Sequence, residues 1–485
     1  MILPRCSGVL LHVVSLPGGH GIGDLGHEAY RFVDWLAAAG QRMWQILPLG
    51  PTGYGNSPYA STSAFAGNPD LISLDRLADD GLLTHEELAH NLPRDRVDYG
   101  QTHAFKQQAL KRACDRFTGS DEFEQFQQRS AYWLDDYVRV QSGGNPATER
   151  FECFCQYEFD RQWHALRSHA NQRGVQIIGD VPIFVADGSV DVQAHPELFH
   201  VDVKGRPELV AGVPPDLFSQ TGQRWGNPHY RWDVMARDGY AWWRDRLRRL
   251  LELVDIVRID HFRGLAAYWA VPADAPTAET GEWVQGPGAG LFEEISRHLG
   301  DLPVVVEDLG LITSDVIKLK EQLSFPGMKV LQYAFDGSPD NPYLPHNYRR
   351  ECIVYTGTHD NDTTVSWYEL LPEAERGTVR RYLGQDGQDI AWKLIRLAHQ
   401  SVARVALYPV QDLLSLGNDA RFNFPGKRDG NWSWRLPQDS LTDQLAGRLH
   451  ELTATYGRLP KPVEQREAEA VDGYPFGVAG INSGL

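Results

Sequence analysis

Short apolar runs recur along the chain at residues 9–14, 43–47, 176–181, 255–259, 303–306, 329–334, 352–355 and 405–408, each closing in a polar or glycine-rich turn. They are rich in β-branched residues, and most lack strict alternation of apolar and polar positions. That is the pattern of strands covered on both faces. Helical spacing lies between them. Residues 28–39 (E-A-Y-R-F-V-D-W-L-A-A-A) place apolar side chains three and four apart and stop at Gly40. Residues 242–253 and 389–402 repeat the pattern. Eight strands alternating with helices predict an α/β fold, a (β/α)8 TIM barrel, rather than an open sheet.

The spacing is uneven. About 130 residues separate the second run from the third, and roughly 70 the third from the fourth, lengths that require subdomains or functional loops. Charged, helix-like stretches at 84–90, 105–117 and 121–137 make the first insertion, about 60–165, a helical subdomain. The second, 187–245, is rich in Gly, Pro, Trp and Tyr and reads as an ordered loop region over the active-site rim. The expected organisation is one catalytic barrel, 1–458, carrying both insertions around its C-terminal rim, then a loose tail, 459–485.

Composition narrows the partners. With 47 Lys and Arg against 64 Asp and Glu, the formal charge is −17. Nucleic acid requires a basic stripe, and anionic lipid attracts cations, so neither is an expected partner. No stretch approaches the roughly 18 apolar residues of a spanning helix. The five cysteines (Cys6, Cys114, Cys153, Cys155 and Cys352) are sparse and odd in number, which reads as reduced thiols of a cytoplasmic protein. Cys153 and Cys155 lack a second Cys or His pair to complete a zinc site. Asp336-Gly-Ser338-Pro-Asp340-Asn341 lacks the sixth-position Gly and closing Glu of a calcium loop. Gly21-Ile-Gly23-Asp-Leu-Gly26 matches G-x-G-x-x-G between a strand and a helix. Yet the next strand ends Leu47-Pro48-Leu49-Gly50, with no carboxylate for a ribose. The match reads as a tight turn that lets the following helix pack closely. Neither metal nor cofactor is expected.

The chemistry concentrates at four strand ends: Ile177-Ile-Gly-Asp180-Val-Pro, Val257-Arg258-Ile-Asp260-His261-Phe, Val304-Val-Val-Glu307-Asp308-Leu-Gly, and Tyr355-Thr-Gly-Thr-His359-Asp360-Asn361-Asp362. In a barrel these C-terminal ends converge on the rim where active sites lie. Arg258 and Asp260, two apart, share a face, and a guanidinium favours an ionised carboxylate, as suits a nucleophile. Glu307 and Asp308 point oppositely, so one of them enters the rim. Three preceding valines wall Glu307 with apolar surface, which raises a carboxyl's pKa toward general-acid use. One ionised and one protonated carboxyl are the equipment of glycosidic chemistry. A strand-end Asp also commonly caps the next helix, and a barrel alone equally admits a glycan-binding protein without catalysis.

The same stretches resemble the amylomaltases, the 4-α-glucanotransferases or disproportionating enzymes of the α-amylase clan. The likeness is carried by Asp24-Leu-Gly26, Pro48-Leu-Gly-Pro-Thr-Gly-Tyr-Gly-Asn-Ser57-Pro-Tyr59, Gly179-Asp180-Val-Pro, Val210-Ala-Gly-Val-Pro-Pro-Asp216 and Gly222-Gln-Arg-Trp225-Gly-Asn-Pro. It continues through Arg258-Ile-Asp260-His-Phe-Arg263-Gly, Val306-Glu307-Asp-Leu-Gly, Thr358-His359-Asp360-Asn-Asp362-Thr, and Asn423-Phe-Pro-Gly with Gly430-Asn431-Trp-Ser-Trp-Arg435. Residues 138–151, with Gly143-Gly-Asn-Pro146 where helix is expected, depart from it.

The resemblance implies transfer of α-1,4-glucan segments to the 4-hydroxyl of another glucan or of glucose, with retention. It implies Asp260 as nucleophile, Glu307 as general acid and base, and Asp360 as the third carboxylate. Tyr59, Ser57, Asp180, Asp216, Gln223, Trp225, Arg258, His359, Asn423 and Asn431 are implied as substrate-binding residues. Retention requires carboxyl groups about 5–5.5 Å apart, the separation expected for Asp260 and Glu307. The segment 210–228 is expected to cover the site, with Trp225, Phe218 and Tyr59 offering flat faces to sugar C–H groups. A hydrolase of the same glucans is the nearest rival reading.

Overall fold

The computed structural model describes residues 3–215, 219–427 and 429–460. Asp216, Phe218 and the tail from 461 onward lie outside the described residues. Twelve strands occur among those described: β1 (Cys6–Leu10), β2 (Met43–Gln45), β3 (Gln176–Val181), β4 (Leu209–Val213), β5 (Gln223–Pro228), β6 (Ile256–Ile259), β7 (Ala267–Pro272), β8 (Glu282–Gln285), β9 (Val304–Val306), β10 (Gly327–Val330), β11 (Cys352–Tyr355) and β12 (Val405–Pro409). Eight of them pair in parallel in the order β10-β11-β12-β1-β2-β3-β6-β9. Val306 N–H donates to Pro326 C=O at 2.9 Å, drawing β9 against β10 and closing the ring. These eight coincide with the eight apolar runs, and the TIM barrel is the fold of the chain.

Both faces of these strands are buried, as their unbroken apolar character requires. Leu10, Met43, Ile178, Ile256, Val305, Met328, Ile353 and Leu407 belong to one apolar cluster, while Val9, Trp44, Ile177, Val257 and Val306 join the larger cluster with the surrounding helices. Arg458, fully buried, fastens one end of the barrel. Its guanidinium donates to the carbonyls of Cys6, Ala398, His399, Ser401, Ala403 and Arg404 at 2.9–3.2 Å. Gly21 is left-handed (φ +82°), and a Cβ on Gly23 would lie 2.0 Å from the Val13 carbonyl oxygen. The G-x-G-x-x-G match is therefore a close turn into helix His27–Ala38.

Between β2 and β3 run helices Leu74–Asp79, Tyr99–Arg116, Asp121–Ser142 and Pro146–Gln172. The departure at 138–151 is a helix-to-helix turn. Gly143 closes one helix in the left-handed region, and the Asn145 side chain caps the next through Ala147 N–H and Thr148 N–H, with Pro146 at its first position. The last helix packs beside helix Ala241–Leu253, where Trp163 Nε1 donates to Leu253 O at 2.7 Å.

The segment 210–228, read from sequence as loop, contains a hairpin. Strands β4 and β5 pair antiparallel across an irregular register, and β4 pairs with β7 and β7 with β8 in a second sheet, β5-β4-β7-β8. Gly212, Gly222 and Gly226 and the exposed polar face of β5 hide the strand pattern. The partner that stabilises it, β7, lies about sixty residues downstream (Leu209 opposite Pro272).

Candidate active site

Ladder register builds the floor of the site. Asp180 at the end of β3 lies opposite Arg258 of β6, and in-register neighbours share a face. Arg258 Nη1 accordingly contacts both carboxylate oxygens of Asp180, at 2.6 and 2.5 Å. Its Nη2 lies 3.0 Å from Asp260 Oδ1 and 4.0 Å from Glu307 Oε2. One guanidinium therefore joins three strand ends, and those two oxygens are within roughly 7 Å of each other, a bound that includes the retaining separation. The Arg258 side chain is 3% exposed. Burial pulls its pKa down, but Asp180 and Asp260 hold it well above its ordinary value.

Asp260 follows β6, its N–H donating to Val181 O at 3.0 Å. Glu307 follows β9, and its Oε2 accepts from His261 N–H at 2.6 Å. Asp308 points the other way, accepting from Met328 N–H at 2.6 Å and pairing with Lys320. Burial pushes both the Asp260 and Glu307 carboxyls up, against Arg258, and each carries further repulsion from Asp360 and Asp180. This corrects one expectation: Arg258 alone does not hold Asp260 low, because burial outweighs it. The two carboxyls titrate as a pair. Of the two, Asp260 has the oxygen nearer the guanidinium, while Glu307 also accepts the His261 N–H.

The opposite wall comes from β11 and the loop after β12. Asp360 is half exposed and accepts from Asn423 Nδ2 at 2.6 Å, while Arg421 Nη2 holds its main-chain oxygen at 2.9 Å. His359 Nε2 lies 3.3 Å from Asp360 Oδ1. Burial lowers the imidazole's pKa despite Asp360, so the ring is neutral near pH 7. The Tyr59 ring stacks on His359 (centroids 5.1 Å, 14° between planes), and its hydroxyl donates to Asp180 Oδ2 at 2.8 Å. Ser57 caps this turn by accepting from Tyr59 N–H.

These groups border a cleft of about 730 Å³ whose lining includes Ser57, Tyr59, Gln223, Trp225, Asp260, His359, Asp360, Asn423 and Asn431. Glu307 is not itself among the lining residues; it adjoins them, accepting the N–H of lining His261 and lying 4.0 Å from Arg258. Asp180, expected to touch substrate, has a side chain 0% exposed and lies beneath the cleft, where it holds Tyr59 and Arg258. Asn431 spends both ends of its amide on the loop, accepting from Phe424 N–H and donating to Lys427 O. Gln223 accepts from Trp225 Nε1 at 3.2 Å.

Sequence reasoning passed over Tyr54, 70% exposed at the cleft mouth, and Trp432, buried against Tyr59 and His359. Both sit inside motifs already singled out, and a run of small residues around an aromatic (Gly53-Tyr54-Gly55) was the available signal. Among the described residues no group of three or more His, Cys, Asp or Glu is placed to hold a metal ion, and no helix is long and apolar enough to cross a membrane. The five cysteines are unpaired and buried.

Comparison with known proteins agrees. The glycoside hydrolase 77 family model, described as 4-alpha-glucanotransferase, matches residues 11–145 and 142–442. The chain is 48% identical to the 4-alpha-glucanotransferase of Thermus thermophilus over 95% of its own length and 100% of the relative's. It is 43% identical to the chloroplastic/amyloplastic enzyme of Solanum tuberosum, over 94% and 87%. Among solved structures, the Streptococcus agalactiae amylomaltase in complex with acarbose superposes with a TM-score of 0.90 at 35% identity, covering 94% of this chain and 100% of that one. The Corynebacterium glutamicum amylomaltase shares the fold (TM-score 0.80, 21% identity, 94% and 75%).

Proposed function

This chain belongs to the glycoside hydrolase 77 family and is a 4-alpha-glucanotransferase, and from that premise we propose that it works by a retaining double displacement through a glycosyl-enzyme on Asp260. The observation that carries the reading is the shared guanidinium: Arg258 draws Asp260 and Glu307 to one floor, nearer Asp260.

Asp260 attacks the anomeric carbon as Glu307 gives its proton to the departing O4. The C1–O4 bond breaks, a β-linked ester forms on Asp260, and the shortened glucan leaves with the proton. Glu307, now ionised, takes the proton of an incoming 4-hydroxyl, whose oxygen displaces Asp260 and restores the α-linkage. Of the Glu307 oxygens, Oε2 is engaged by His261 N–H, which leaves Oε1 to carry the proton. Asp360, held by Asn423, receives sugar hydroxyls as charge develops on the ring.

Donors are α-1,4-glucans, as acarbose in the related structure suggests, and acceptors are glucans or glucose. Transfer prevails over hydrolysis by water at about 55 M because a bound acceptor gains the large effective molarity of a positioned group. Trp225, anchored on β5, supplies part of that positioning. Residues 1–458 act as one catalytic unit. The test is the product profile from maltotriose: a ladder of longer chains plus glucose supports transfer, and a steady rise in reducing ends would sink it. D260N should lower the rate by orders of magnitude.

A further inference from the structure

The residue after Asp260 is in an unusual conformation for its type. His261 has φ +48° and ψ 47°, the left-handed region, where residues other than Gly are uncommon. Three contacts with Glu307 surround it. Glu307 N–H donates to Ile259 O at 2.9 Å, Phe262 N–H donates to Glu307 O at 3.2 Å, and His261 N–H donates to Glu307 Oε2 at 2.6 Å. Two of these fix the Glu307 backbone between β6 and the following turn. The third fixes its carboxylate, and its donor is the N–H of the residue that makes the left-handed reversal. The ring has a separate occupation: it stands edge-on to Trp225, centroids 4.7 Å apart at 85°. Burial lowers its pKa to about 4, so it adds no charge beside Asp260 at neutral pH.

We infer that His261 is a positioning residue whose left-handed backbone, rather than its imidazole, aims and tunes Glu307, while its ring braces Trp225. This rests on the reading of Glu307 as acid and base. The groups bearing on Glu307 besides this N–H are Arg258 from β6, Asp260 just after it, Asp180 from β3, Asp360 after β11, and the Tyr333 and Tyr343 hydroxyls after β10. None changes when residue 261 is substituted. An N–H donated to the carboxylate favours its charged form, so losing it raises the pKa of Glu307.

The experiment compares H261G, which takes the left-handed turn without strain, with H261V, which does not, reading kcat/KM against pH with maltotriose. For H261G the basic limb should stay at its wild-type position. For H261V it should move up by about one pH unit, with kcat reduced at least tenfold. H261V should recover when the donor is α-maltosyl fluoride, whose leaving group needs no proton. Where H261V does not fold, H261A against H261G decides the matter, with a smaller displacement in the same direction. Equal displacement in H261G and the branched or alanine variant, or none in either, overturns the inference. E307A run beside them separates the two readings. If it shows no preference for the fluoride, the acid/base assignment fails. If it shows that preference while the 261 variants do not differ, only the role of His261 fails.

Discussion

Asp180 separates a positioning role from substrate contact more cleanly than any other side chain in the site. Asn at 180 keeps the shape and removes the charge. The native carboxylate accepts two contacts from Arg258 Nη1 and one from the Tyr59 hydroxyl, with no exposed surface. At an effective dielectric of about 20, unit charges 4 Å apart attract by about 4 kcal/mol, and breaking a buried pair costs about 3–5 kcal/mol. Arg258 keeps Asp260 at 3.0 Å, so the lower end applies, and D180N should lose about 3 kcal/mol of stability. The guanidinium then leans toward Asp260 and Glu307, and the Tyr59 hydroxyl loses its anionic acceptor. A misaligned floor should lower kcat about 100-fold, equivalent to about 2.7 kcal/mol. Urea unfolding followed by Trp fluorescence measures the first quantity, and initial rates on maltotriose the second. A D180N protein that unfolds at the wild-type urea midpoint while KM alone rises would show Asp180 to be a substrate contact and refute the reasoning.

Other consequences are as direct. Asn423→Ala removes the donor to Asp360 and should cut kcat/KM about tenfold, with the unfolding midpoint unchanged, in steady-state assays on maltotriose. Arg458→Ala removes six hydrogen bonds at the end of the barrel, although Arg5 still donates to the His399, Ser401 and Ala403 carbonyls, and should destabilise the fold by about 1–3 kcal/mol, read by urea unfolding with activity per folded molecule retained. Asp360 repels charge on Glu307, so in Asp360→Asn the basic limb of the residual pH–rate profile should move to lower pH. The raised carboxyls also set a stability trend. Buried Asp412 has its folded pKa above its ordinary value, so the native state binds more protons than the unfolded one. Its contribution is present below the unfolded pKa and declines as pH rises through the folded one. Asp412→Asn should therefore remove the decline of urea-midpoint stability across that window.

The barrel was legible because strands covered on both sides need not alternate, and most of the eight runs carry that mark. Their ends were less so. The run at 329–334 joins β10 to the 3-10 turn Leu331–Tyr333, since β10 and Leu331 are alike apolar and buried and hydropathy does not distinguish them. The hairpin of β4 and β5 was hidden because a strand partnered about sixty residues away leaves little local trace beyond its glycines. In the site, Asp260, Glu307, Asp360 and their strand-end positions could be read from type and order. The occupation of Asp180 and Asn431 could not, because the same polar side chain serves substrate or scaffold according to what the fold places beside it, here Arg258 and Lys427 O. The balance on Asp260 was misjudged for a related reason. A neighbouring Arg is visible in sequence, whereas the burial that outweighs it is a property of the folded rim.

The covalent step is the centre of the account. Glu307→Gln treated with α-maltosyl fluoride should form the glycosyl-enzyme without needing a proton donor, then lack the base to discharge it. Peptide mapping by mass spectrometry should find one maltosyl group, carried by Asp260. A label on another residue, or none while fluoride is released, would contradict the double displacement proposed here.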